Sequence, residues 1–185
     1  ITHSGIVVNA IHITRVGREG VDFDRITHKP GIFINIGKNK QLTAEQNYWN
    51  KEHKSNFVRK KSLENLDYLS IPEYLLTLQP QNPTAQTLSY LQDLKDLSSL
   101  KIVNLTGISN TDLKLTYGTA NITILSEYDS HYTQMVTILQ KLAECLVASD
   151  DPEHAIQVLE YAISTGSDVS KSYYLLADLY TQAGT

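Results

Sequence analysis

Asp22, Asp24 and His28 are the closest this chain comes to a constellation that could do chemistry. Aspartates two apart on a strand project to one face, and a neighbouring histidine completes an acid/base or metal-ligand composition. The same three residues also suit a solvated strand face, which is the reading expected here. His3, His12, His28, His53, His131 and His154 show no paired spacing of the H-E-x-x-H type. Cys145 is the sole cysteine, so it can form neither an internal disulfide nor a thiolate zinc site, and its apolar helical setting predicts a buried structural thiol. Gly17-Arg18-Glu19-Gly20 and Gly37-Lys38 lack the spacing that brings several backbone amides onto phosphate oxygens, and no Gly-x-Ser-x-Gly elbow occurs. The chain is therefore expected to be non-catalytic, with no metal and no cofactor.

Charge gives a second lead. The chain has 185 residues and a net charge of −4. Through Lys61 it carries eleven Lys and Arg against five Asp and Glu, a local +6; the remainder carries five against fifteen, a local −10. Within the first part Lys51, Lys54, Arg59, Lys60 and Lys61 form a basic patch with Tyr48, Trp49 and Phe57 interleaved. Such a patch suits an intramolecular acidic surface, or phosphates of RNA or anionic lipid with aromatic stacking. Hydrophobic content of 41% and charged content of 19% fit a globular protein rather than a disordered or fibrous one. No run approaches the roughly 18 apolar residues of a membrane span. Ile1 stands first without a methionine, which suggests removal of a leader, an anchor or another domain. The location expected is cytoplasmic, with a tether to the membrane as an option. Asn104-Leu105-Thr106 and Asn121-Ile122-Thr123 are glycosylation sequons that require a secretory route.

The elements that must position these residues follow from periodicity. Residues 6–13, 21–26 and 31–36 are β-rich runs separated by glycine and the Lys29-Pro30-Gly31 turn signal. Residues 37–41 read as a loop, and Thr43 with Gln46 as a capping box that starts a helix over 44–58, with Tyr48 and Trp49 anchoring it. Residues 62–83 read as a jointed connector interrupted at Pro72, Pro80 and Pro83. Thr84 caps a helix carrying Leu88, Leu91 and Leu94, followed by a β-like run over 100–105. Residues 113–117 and 121–125 alternate around Gly118 and read as a small sheet or hairpin. Three helices close the chain, over 132–147, 152–164 and 169–182. Asp151 with Pro152 marks one start, Gly166 its end, and Asp168 the cap of the last.

Within those last helices an echo appears. Leu139, Leu142, Ala143 and Leu146 recur 34 residues later as Tyr173, Leu176, Ala177 and Tyr180, and Ala155, Leu159 and Ala162 supply small, large, small positions between them. This pattern resembles the tetratricopeptide repeat family over about residues 136–185, one hairpin and the first helix of another. The resemblance implies stacked antiparallel helical hairpins whose first helices line an inner, peptide-binding surface. In that register the surface carries Thr137, Gln140, Glu144, Lys171, Tyr174 and Asp178. The Lys and Asn clamp that grips terminal carboxylates in one subclass is missing, since Gln140 and Glu144 stand there. The acids favour a basic or hydroxyl-bearing partner, and the basic N-terminal segment is one such partner within the chain.

The fold class expected is α+β and helix-dominated, with a basic β-rich region plus helix over 1–61, a mixed connector region over 62–130 and a repeat-like helical region over 131–185. The function expected is a protein or peptide interaction or scaffold module. The alternative is a membrane-proximal or nucleic-acid-binding adaptor acting through the basic patch.

Overall fold

The computed structural model describes the backbone of residues 30–184 and the side chains from Gln41 onward. The runs at 6–13 and 21–26, and with them Asp22, Asp24 and His28, lie outside the described residues. The chain divides into two units between Lys51 and Glu52.

In the first unit the described part belongs to helix α1 (Pro30–Ser55), whose last turn enters the second unit. Residues 31–36 are thus helical rather than a strand, and 37–41 continue the helix rather than forming a loop. A short apolar run has no period that separates a strand from a helix, and Pro30 sits at the first helical position, where its missing N–H costs nothing. Thr43 consequently lies inside the helix, not at its start. Tyr48 and Trp49 meet edge to face at 5.5 Å but stay exposed, so they anchor no core.

The second unit is helix-dominated. It contains β1 (Tyr68–Leu69), α2 (Glu73–Leu76), α3 (Ala85–Ser98), β2 (Ile102–Val103), α4 (Asn110–Tyr117), a 3-10 turn (Thr119–Asn121), α5 (Ile122–Ala148), α6 (Pro152–Ser164) and α7 (Ser170–Ala183). The two strands pair antiparallel, Tyr68 opposite Val103 and Leu69 opposite Ile102. Successive strand residues face opposite ways, so β2 feeds two cores. Ile102 joins the main cluster of α2, α3, α5, α6 and α7, whereas Val103 joins Leu66, Leu105, Leu113, Leu125 and Tyr128 in a smaller one.

Helix α5 is the axis of this unit, packed by α3 and by α6, with α7 packed on α6. Leu125, Tyr128, Tyr132, Met135, Leu139, Leu142 and Leu146 recur every three or four residues and are buried; Val136, Ile138 and Ala143 widen the stripe so that it serves both neighbours. In α6 the fully buried Ala155 and Ala162 remove the bulk that would keep helices apart. The echo in α7 is only partly reproduced in burial. Helix α7 buries Ser172, Leu176 and Leu179, while Ala177 and Tyr173 are exposed.

Residues 113–117 and 121–125, expected as strands, are helical in α4, the 3-10 turn and the start of α5. Ser109 accepts from the Asp112 amide and so starts α4. Gly118, at φ 89° and ψ 147°, then ends it as an elbow. There the chain meets residues 59–61: a Cβ on Gly118 would stand 2.3 Å from the Arg59 carbonyl oxygen. The Lys61 amide donates to the Tyr117 carbonyl at 3.0 Å, and buried Asn121 donates from Nδ2 to Lys61 O at 2.8 Å and Tyr117 O at 2.7 Å. Asn104 forms a second tie, donating to the Thr165 carbonyl at 3.0 Å and accepting from the Thr106 amide.

Two expected caps act otherwise. Val169 rather than Asp168 occupies the N-cap of α7, and Asp151 makes no capping hydrogen bond. Its buried carboxylate instead accepts from the Gln81 amide at 3.1 Å and meets His154 Nδ1 at 2.8 Å, clipping the loop before α3 to the α5–α6 turn. Burial pushes the Asp151 carboxyl up, but the bonds to His154 and Gln81 outweigh it and hold the group below its ordinary value. A depressed carboxyl contributes stability that is complete above its unfolded pKa of about 3.9 and is lost as pH falls through the folded value. Asp151→Asn is therefore expected to lower stability at pH 7 by about 1.5–3 kcal/mol and to flatten the fall in stability below about pH 4, as read from urea unfolding at stepped pH. An unchanged acid slope would show that the clip is not ionic.

Candidate interaction surface

The residues singled out on the inner surface meet around one short network. Ser172 Oγ donates to Gln140 Oε1 at 2.5 Å, Gln140 Nε2 donates to Glu144 Oε1 at 2.9 Å, and Lys171 Nζ pairs with the same oxygen at 2.9 Å. The Gln140 and Lys171 bonds hold the Glu144 carboxyl below its ordinary range. Gln140 is buried, so these groups fasten the start of α7 to α5 before any partner arrives. The Thr137 hydroxyl bonds back to the Thr133 carbonyl at 2.8 Å and is exposed. Tyr174 and Asp178 follow along α7, both exposed, Tyr174 at 72%.

Two hollows run along α5. One of about 250 Å³ is lined by Val136, Thr137, Gln140, Lys141, Glu144, Val169 and Lys171. The other, of about 470 Å³, lies between α3 and α5 and includes Tyr90, Asp93, Ser130, Thr133, Thr137 and Lys141. Thr137 and Lys141 line both, so the hollows adjoin. Neither Family models nor curated proteins nor solved structures match the chain.

The structure brings Thr137, Gln140, Glu144 and Lys171 around one hollow, because residues three or four apart share a helix face and the start of α7 is tied to α5; Tyr174 and Asp178 do not line it. Sequence reasoning missed Tyr90, Asp93 and Lys141. Lys141 sits four residues beyond Thr137 and was within reach of the same spacing argument; Tyr90 and Asp93 come from α3, whose approach to α5 is tertiary. The side chains of Lys141 and Asp93 are exposed and make no hydrogen bond or ion pair among the described residues, though the Lys141 charge helps lower the Glu144 carboxyl.

The basic patch is distributed unevenly. Lys51 belongs to the first unit. Lys54, Arg59, Lys60 and Lys61 are exposed in the second, where Lys61 Nζ donates to the Leu115 carbonyl at 3.2 Å. The contacts of this segment with α4 use charges of the opposite sense: Glu52 accepts from Lys114 and from Thr111, each at 2.5 Å, and these bonds lower its carboxyl pKa. Among the described residues no helix is long and apolar enough to cross a membrane.

Proposed function

We propose that residues 52–184 form a non-catalytic interaction module of tetratricopeptide-like hairpins, which binds an extended peptide of a partner protein along the open face of α5. The observation that carries this reading is the adjoining pair of hollows sharing Thr137 and Lys141. From Ser130 to Glu144 the helix rises roughly 21 Å, the length of about six residues of extended chain. The lining mixes hydroxyl, amide and charged groups with the apolar side chains of Tyr90, Val136, Ile138 and Val169, a composition suited to a peptide that offers both backbone polar groups and apolar side chains. Lys171 and Gln140 bond Glu144 directly while Lys141 acts on it only at longer range, so the cation that faces a partner from both hollows is Lys141, with Asp93 on the α3 wall. The peptide accordingly presents an acid at its centre and a base on the α3 side.

Selection of a random peptide display library on the full chain tests this. Selected peptides are expected to lose at least about tenfold in affinity on Thr137→Arg, which fills both hollows from an exposed site. Lys141→Glu should invert the preferred central charge. Selected peptides that bind Thr137→Arg unchanged would rule out the trough.

A further inference from the structure

The segment after α1 offers a surface of a different kind. Phe57 is 74% exposed, in the turn just beyond the helix, with its ring 4.9 Å from that of His53. Lys54, Arg59 and Lys60 around it in sequence are exposed as well, and none of their side chains makes a hydrogen bond or ion pair among the described residues. An aromatic side chain left in water costs hydrophobic free energy that burial recovers, and three exposed cations in seven residues give a local positive field that attracts an anionic partner.

The backbone beneath these side chains is fixed. Lys61 is held at its amide by Tyr117 and at its carbonyl by Asn121, and Arg59 lies against the glycine elbow at Gly118. Arg59 and Lys60 therefore project from a braced strand of chain, so little ordering entropy opposes binding. Within residues 54–60, Phe57 is the one aromatic ring among the exposed cations, and one such ring suits a bilayer interface, where it enters the headgroup boundary and the cations meet anionic lipid. Single-stranded nucleic acid asks for a longer basic track with successive stacking rings.

We infer that Phe57, with Lys54, Arg59 and Lys60, forms a docking surface for an anionic lipid bilayer. The surface is independent of the α5 trough. Co-sedimentation of the full chain with phosphatidylcholine vesicles, with and without 30% phosphatidylserine, tests it. Binding is expected only with phosphatidylserine and weakens with added salt. Arg59→Gln with Lys60→Gln should reduce partitioning about 25-fold, at roughly fivefold per cation removed. Phe57→Ala should reduce it about tenfold with the salt dependence retained. Lys95→Gln, an exposed cation on α3, should leave it unchanged. Absence of binding to phosphatidylserine vesicles overturns the inference, as does equal loss in the Lys95 variant. Tighter binding to a twelve-nucleotide oligouridine that depends on the same residues would reassign the surface to nucleic acid and overturn the lipid assignment.

Discussion

Gly118→Ala is expected to destabilise the second unit by about 3–5 kcal/mol, among the largest effects of any single methyl group in this chain. Two costs combine. With φ at 89° and ψ at 147°, the residue occupies a region of backbone space that is essentially glycine's own. The added Cβ would also stand 2.3 Å from the Arg59 carbonyl oxygen, 2.7 Å from its carbon and 2.9 Å from the Lys60 Cα. These are backbone atoms, which cannot rotate away as a side chain does. Relief requires residues 59–61 to move off α4, which breaks the Lys61 amide bond to Tyr117 and the Asn121 bond to Lys61. Urea unfolding reads the loss, and faster hydrogen exchange at the Lys61 amide localises it. A change below about 1 kcal/mol would mean that the elbow yields easily.

Leu142→Ala is expected to cost about 3–5 kcal/mol through the cavity it leaves, since Leu142 is fully buried in the main cluster among side chains of α3, α5 and α6. Alanine's slightly better helix propensity offsets only a few tenths of this. The contrast is Leu88→Ala on α3. Leu88 fits the same spacing as Leu91 and Leu94 yet is 53% exposed, so its removal should shift stability by no more than about 0.5 kcal/mol. Both are read as shifts of the urea midpoint at constant slope. Equal effects for the two leucines would be inconsistent with the burial described.

The difference between those leucines illustrates what the sequence carries and what it does not. Spacing alone identifies the helix over 85–98, and Thr84 does accept from the Thr87 amide as its cap. Spacing cannot say which neighbour covers which edge of the stripe. The α6 boundaries were legible because Pro152 and Gly166 mark local backbone requirements. Asp151 misled because a carboxylate next to a helix start has competing partners: it finds Gln81, distant in sequence, and no local rule reveals that.

Alternation around Gly118 also misled. Residues 113–117 have Leu, Lys, Leu, Thr and Tyr, which satisfy a strand period over five positions but also the i, i+4 spacing of a helix. The Ser109 cap decided between them. Of the candidate surface, the Gln140, Glu144 and Lys171 cluster was accessible through helix spacing and the 34-residue offset. That Lys171 reaches Glu144 from α7, while Asp93 faces the hollow from α3, depends on side-chain reach across helices and emerges only in three dimensions.

The placement of Asn121 bears on how this chain is made. Its side chain is fully buried and its amide nitrogen is bonded to two carbonyls, one on each side of the elbow. Attachment of a sugar to that nitrogen would demand both room and a hydrogen that the folded unit has already committed. Oligosaccharide transfer at the Asn121 sequon and closure of this elbow therefore exclude one another, so a chain modified there during synthesis would be barred from the fold described above.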